Sequence, residues 1–426
     1  MTTIFDGLRN LVSGLGSPRD KAASASYYLE IPDDQQLQAA YRTSGLARKI
    51  VDIPAQDACR EWREWQAGAK EITAIEAEES RLHVQGLVRQ AKILARLYGG
   101  AAIYIGTGET DPAKPMNPET IRRGGLQYLT VLPKSRVSAA GIETDPRLEG
   151  YGKPSFYQLD AGVRVHPSRL VVFHGRELPE IDMASAASGW GDSVLTSTLE
   201  AVKAVDSVAA NILALTYEAS VDVISVPGFT DNLRNGGPEY EANIIQRFQL
   251  ALLAKSNTKA LLLDAEEEYT QKSADFGSLD KLWDRFMQTV SAVSDIPMTR
   301  LFGQSPAGLN ATGEGDQKNY HDTVKVIQTL EMQPAMALLD ECLIRSALGS
   351  RPDEIFYNWR PLGQPSAKER AEVGDKITSA FERVYRMDGL VPEEPLSKAL
   401  INALTESGIA PGLEADADSY FQGEEV

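Results

Sequence analysis

Apolar residues recur at three- and four-residue spacings in several long stretches of this chain, separated by short runs of continuous or alternating apolar residues. The first spacing predicts amphipathic helices and the second predicts strands. Leu37 to Ile53 has helical spacing and is expected to stop at Pro54, where a backbone donor is lost. Ile72 to Tyr98 predicts a second, longer helix closed by Gly99-Gly100. Strands are expected at Ala101 to Ile105, Leu126 to Leu132, Ser155 to Leu159 and Leu170 to Phe173. Helices and strands are interspersed here, so this part is an α/β region with a modest sheet.

The pattern changes at Gly189-Trp-Gly-Asp-Ser193. From Val194 to Tyr217 the positions Leu195, Leu199, Val202, Val205, Ala209, Ile212 and Leu213 predict one long amphipathic helix, with Asp192 or Ser193 as its N-cap. A strand from Val221 to Val226, a Gly/Pro/Asn-rich loop, a helix from Tyr240 to Ala254 and a strand from Ala260 to Leu263 follow. A second amphipathic stretch then carries Leu279, Leu282, Trp283, Phe286, Met287, Val290 and Val293, and halts at Pro297. Two long helices thus bracket a small α/β insert.

Residues 298–314 lack usable periodicity and include Gly303, Pro306, Gly308 and Gly313, so a loop is expected. A long helix from about Asp316 to Leu348 follows, with Tyr320, Val324, Ile327, Leu330, Met336, Leu339 and Leu343 as its apolar positions. Pro334 falls inside it and should kink it. Helices near Lys368 to Arg386 and Leu396 to Ser407 complete the pattern, before an acidic tail without Lys or Arg. Residues 1–30 are rich in Gly, Ser and Ala and suggest a flexible N-terminal arm.

Composition narrows the function. The 426 residues carry a formal net charge of -17, which disfavours tight non-specific attachment to nucleic acid but permits DNA to be surrounded without being held. Cys59 and Cys342 are the only cysteines, too few for a disulfide framework or a Cys-rich zinc site, so two reduced thiols are expected. No apolar run approaches membrane-spanning length and the N-terminus does not resemble a secretory signal, so no membrane association is expected.

Candidate chemistry is sparse. The four histidines, His83, His166, His174 and His321, do not fall into metal-binding spacing, and no phosphate-binding loop or nucleophile elbow occurs. Structural roles are expected for His166 and His174, and a surface place on a helix for His83. His166-Pro-Ser168 and His321-Asp-Thr323 fit the H-x-[ST] pattern of two-histidine phosphoesterases, where paired histidines serve as general acid and base. Pro167 disturbs the strand that the first needs, and the second lies in a helical pattern. The acidic runs Glu76-Ala-Glu78-Glu79 and Glu266-Glu-Glu268 are expected to be solvated faces. No catalytic residue, metal or cofactor is assigned.

Several segments taken in order carry a resemblance. They are Tyr41 to Ala55 followed by Arg60-Glu-Trp-Arg63, Tyr98-Gly-Gly-Ala-Ala-Ile103, His166-Pro-Ser-Arg-Leu170, Gly191-Asp-Ser-Val-Leu195 and, most specific, Asp295 to Glu314. Across about residues 35 to 365 the chain resembles portal proteins of tailed bacteriophages, in a branch long known only as a phage-associated domain of unknown function. The resemblance implies an α+β multi-segment portal fold: an α/β wing, a two-helix stem, a small α/β clip, a long Pro-kinked helix and a short helical crown. Mapped here, the wing takes residues 31–190 and 315–360, the latter with the kinked helix. The stem helices take 191–220 and 278–297, the clip 221–277, the tunnel loop 298–314, and the crown with its acidic tail 361–426.

The implied assembly is a homo-oligomeric ring, in such portals usually a dodecamer, at one capsid vertex of the virion, built in the host cytoplasm. Double-stranded DNA would pass through its channel during packaging and ejection. Its other partners would be the terminase large subunit, a head-completion or adaptor protein and the major capsid protein. A channel that moves DNA must avoid deep binding wells. Arg300, Gln304, Asn310 and Thr312 are therefore candidate tunnel-loop contacts, and Lys203, Lys281 and Arg285 candidate lumen bases of the stem. Each base could equally serve an ion pair between subunits. A two-histidine phosphoesterase using His166 and His321, or a minor head structural protein, are the alternative readings.

Overall fold

A computed structural model describes residues 31–109, 111–148, 150–178, 189–217, 220–225, 237, 242–247, 249, 268–273, 279–303, 314–363, 367–387, 392–407 and 409. The chain divides into two compact units, Met1–Ser197 with Ser294–Val426, and Thr198–Val293. The N-terminal arm, the end of the acidic tail and the expected strand at Ala260–Leu263 lie outside the described residues.

In the larger unit, α1 (Asp34–Thr43) begins at Asp33, whose carboxylate accepts the Gln36 N–H at 2.7 Å while Gln36 answers to the Asp33 N–H. This reciprocal cap fixes the start of the helix. Ser44 ends α1 and caps α2 (Gly45–Arg60), so the expected single helix is two. Nor does α2 stop at Pro54, which sits inside it. A proline there strips the Ile50 carbonyl of its helical donor. Arg96 supplies the replacement: its guanidinium donates to the carbonyls of Ile50 at 2.9 Å and Val51 at 3.0 Å.

After β1 (Arg63–Gln66), the expected helix from Ile72 to Tyr98 is also two, α3 (Ala69–Arg81) and α4 (Val84–Tyr98). The break is His83, whose φ of 53° is a left-handed conformation that no helix interior accommodates. Its side chain is exposed, as expected. Gly99, at φ 88°, ends α4 and turns the chain into β2 (Gly100–Gly106).

β2 is the centre of a three-stranded antiparallel sheet, flanked by β3 (Tyr128–Pro133) and β7 (Leu170–His174). A second such sheet has β5 (Pro154–Leu159) between β4 (Val137–Ile142) and β6 (Arg164–Val165). The two share one core of Ala102, Val137, Tyr157, Val165, Leu170 and Trp190. Trp190 donates its indole N–H to the Val137 carbonyl at 3.1 Å and lies so close to β2 that a Cβ on Gly100 would meet the ring at 2.2 Å. Glycine at 100 is what lets the tryptophan fill that space.

Ser193 caps α5 (Leu195–Tyr217) by accepting the Leu195 N–H, while Asp192 pairs its backbone with Arg176 instead. The smaller unit contains most of α5, the antiparallel pair β8 (Ser220–Ser225) and β9 (Glu268–Ser273), a helical turn at 242–247, and α6 (Leu279–Ser294). Val202 and Val205 on α5 and Met287 and Val290 on α6 are buried, whereas Leu213 and Leu282 are exposed.

The chain re-enters the larger unit through α7 (Met298–Phe302), a helix where a loop was expected. Then come α8 (Glu314–Val326), a π-helical turn (Ile327–Met332) and α9 (Gln333–Leu348). Leu330, assigned above to the apolar face, is 70% exposed, because the π turn rotates it outward. Pro334, where a kink was expected, lies in the first turn of α9, two residues after the π turn ends. β10 (Phe356–Trp359) pairs antiparallel with β1, and α10 (Ala367–Tyr385) and α11 (Glu393–Glu406) follow.

Candidate functional site

The polar side chains that are buried act as ties between segments distant in sequence. The densest tie centres on Asp57 of α2. Arg300 from α7 reaches its carboxylate through Nε at 3.0 Å and Nη2 at 2.7 Å, and the Tyr320 hydroxyl from α8 donates to it at 2.7 Å. Burial first, and then the Asp57 charge, raise the Tyr320 phenol above its usual pKa, so it stays a donor. Lys49 adds a bond to the Leu301 carbonyl at 2.8 Å. The helices on either side of residues 304–313 are therefore bonded to one carboxylate.

A second tie is Arg63, fully buried, which pairs with Glu79 at 2.7 Å and with Asp340 of α9. Trp65 and Tyr357 lie against its guanidinium at 4.6 and 4.7 Å from their ring centroids. Aromatic faces favour such a cation where water is excluded. Burial raises the Asp340 carboxyl above the usual range, with the Arg63 charge opposing. Glu78 bonds Arg81 at 2.7 and 2.8 Å and accepts from Ser346 at 2.6 Å. The acidic run at Glu78-Glu79 is thus a buried pairing surface, not a solvated face. Periodicity does not show this, because Arg63, which pairs with Glu79, and Ser346, which donates to Glu78, belong to other elements of the fold.

A third tie fastens the π turn. Buried Lys92 donates to Glu331 at 2.6 Å, and buried Gln328 donates to the Ala58 carbonyl at 2.9 Å. Burial lowers the Lys92 pKa, with Glu331 opposing. Cys59 and Cys342 are free, buried thiols pushed up to about 12 by burial, so neither is a nucleophile at neutral pH.

The segment His166-Pro-Ser-Arg169 is structural. His166 Nδ1 accepts the Ser168 N–H at 3.2 Å and lies 2.8 Å from the Ser168 hydroxyl, which accepts the Met116 N–H at 2.7 Å. Burial, and secondarily Arg169, lower the His166 pKa. Arg169, 1% exposed, bonds the Lys114 carbonyl at 2.9 Å and pairs with Glu109. The motif fastens the excursion between β2 and β3. His321 sits on α8, a helix, whereas the two-histidine pattern asks for strands of one sheet.

Arg300 is on a helix and engaged by Asp57. Gln304, Asn310 and Thr312 lie outside the described residues. Lys203 on α5 is exposed and pairs with Glu200 at 2.7 Å. Lys281 is exposed on α6, where Arg285 donates to Gln288 at 3.1 Å. Among the described residues, no group of three or more His, Cys, Asp or Glu is placed to hold a metal, and no helix is long and apolar enough to cross a membrane.

The class defined by this arrangement is a mixed α+β scaffold whose buried charges join distant segments. Comparison with known proteins gives the family. Residues 35–383 match the family described as phage portal protein, and the chain belongs to it. It is 41% identical to a Caulobacter sp. (strain RHG1) protein named anti-CBASS protein Acb1, over 98% of this chain and 69% of the relative. It is 38% identical to a protein of that name from Sphingomonas paeninsulae, over 97% and 67%. Among solved structures, a chain from the neck of a native GTA particle, computed with C12 symmetry, shares the fold at a TM-score of 0.54. That match has 13% identity and covers 94% of this chain and 99% of the other.

Proposed function

We propose that this chain is the subunit of a ring-shaped DNA conduit at one vertex of a phage head. The observation that carries the reading is family membership over residues 35–383, joined to a fold shared along nearly the whole chain with a particle neck of twelvefold symmetry. On this reading the helices α5 and α6 form a stem, residues 221–277 a clip that meets the terminase and later an adaptor, and residues 298–314 the channel's narrow part. DNA packaging and ejection are the activities, and the chain is not an enzyme. Its place is the virion, after assembly in the host cytoplasm beside the major capsid protein. The net charge of -17 suits a wall that must not retain phosphates. The test is electron microscopy of the purified chain, alone and co-expressed with its capsid protein. Closed rings with a central channel are expected, and a protein that stays monomeric in both settings overturns the reading.

The names of the two relatives favour a second reading, in which the chain carries the activity those names denote. Nearly all of this chain matches each relative, yet about a third of each relative lies outside the match. His166 caps a turn and His321 is helical, so these two do not form the strand-borne acid–base pair of a two-histidine phosphoesterase. We assign the activity that the relatives' names denote to their unmatched third and the conduit role to the shared part. Assaying this chain for phosphodiesterase activity tests the division.

A further inference from the structure

We propose that the π-helical turn Ile327–Met332 is a phase element: by absorbing one residue it rotates α8 so that Tyr320 reaches the carboxylate of Asp57 that Arg300 already holds. The proposal needs neither DNA nor a ring, and so stands apart from the conduit reading.

The rotation follows from helix geometry. At about 100° per residue, the twelve positions from Val324 to Met336 would set their side chains about 120° apart on one continuous α-helix. Both are fully buried, at 0% exposure. Absorbing one residue brings them to about 20°, on a common face. Tyr320 and Met336 would otherwise lie about 160° apart, and are brought to about 60°. The register is visible in the backbone: the Gln333 N–H donates to the Gln328 carbonyl, five residues back.

Independent features hold the turn where it is. Pro334 has no N–H and, in an uninterrupted α-helix, its ring would press on the Leu330 carbonyl. The wider turn ending at Met332 relieves that contact, so shifting it toward the N-terminus would restore the clash. On the inner side, Gln328 is tied to the Ala58 carbonyl and Glu331 to Lys92 of α4. The outward residue is Leu330, which is 70% exposed. A chain of contacts therefore runs from Lys92 through Glu331 and the turn to Tyr320, and across Asp57 to Arg300. What happens at the turn sets how the two flanks of residues 304–313 are joined.

The test deletes Leu330 from the full chain, which removes the extra residue and leaves Tyr320 in its native phase, and in a second variant keeps Leu330 and inserts one alanine between Lys325 and Val326, which turns everything before it by about 100°. Backbone hydrogen exchange is followed at 298–303 and 314–320. Exchange close to that of the parent in the deletion, and faster exchange of both segments in the insertion, by up to about tenfold, are expected. Unchanged exchange in the insertion, or equal loss in both variants, overturns the proposal. Tyr320→Phe keeps the packing and removes only the hydroxyl, which guards against a deletion that fails to fold. It should speed exchange at 298–303, and no change there removes Asp57 as the link.

Discussion

Arg96 lies against the stretch of α2 that Pro54 interrupts, and its guanidinium serves the Ile50 carbonyl that the proline leaves without a donor. The two residues are complementary: one removes a backbone hydrogen bond and the other replaces it from a neighbouring helix. Burial lowers the Arg96 pKa to about 10, so the charge is retained at neutral pH. Arg96→Met should cost about 1–3 kcal/mol for each carbonyl left unpaired. Adding Pro54→Ala should recover part of that loss by returning the Ile50 bond to the helix. Chemical denaturation of both variants measures it, and strictly additive effects would show that the residues do not cooperate.

Lys92 and Glu331 make stability depend on pH in a defined direction. A lysine whose folded pKa is below its unfolded value favours the folded state above the unfolded pKa, and loses that contribution as pH falls through the folded pKa. Glu331→Gln removes the charge that opposes the depression. Its penalty, about 1–3 kcal/mol at neutral pH, should shrink as pH rises toward the ordinary lysine range. Denaturation midpoints from about pH 7 to about pH 10 check this, and a flat penalty speaks against a charged Lys92.

Arg300→Glu should be disruptive, although from sequence alone, as a loop residue facing DNA, Arg300 would tolerate the change with only mild effect. The new carboxylate would face Asp57, which is nearly buried. A loss of about 1–3 kcal/mol is expected, measured by chemical denaturation. Arg300→Gln should be milder. Equal stability of Arg300→Glu and the parent would separate Arg300 from Asp57.

Gly100→Ala should destabilise the sheet core by about 1–3 kcal/mol, because its Cβ would overlap the Trp190 ring. A Trp190→Leu partner substitution should relieve part of the cost. Thermal unfolding of the single and double variants measures the relief.

His166→Ala with His321→Ala should leave phosphodiesterase activity at the background of the parent chain. Cyclic-nucleotide hydrolysis in the parent that vanishes in the double variant would replace the conduit reading with the enzymatic one.

Periodicity alone located β2, β5, β7, α5, α6 and the C-terminal helices, because each is governed by apolar spacing and by caps within a few residues of its ends. The ordered segments from Tyr41 to Glu314 also carried the resemblance to portal proteins. Three things were decided by the tertiary structure. Pro54 ends no helix because Arg96, distant in sequence, provides the missing donor. Leu330 faces outward because a π turn shifts the helix by one residue, held there by contacts with α2 and α4. Arg300 belongs to a helix and to Asp57 because α2, α7 and α8 meet at one carboxylate. In each case local spacing specifies what a residue prefers, while the partner that satisfies or overrides the preference arrives only when the chain has folded.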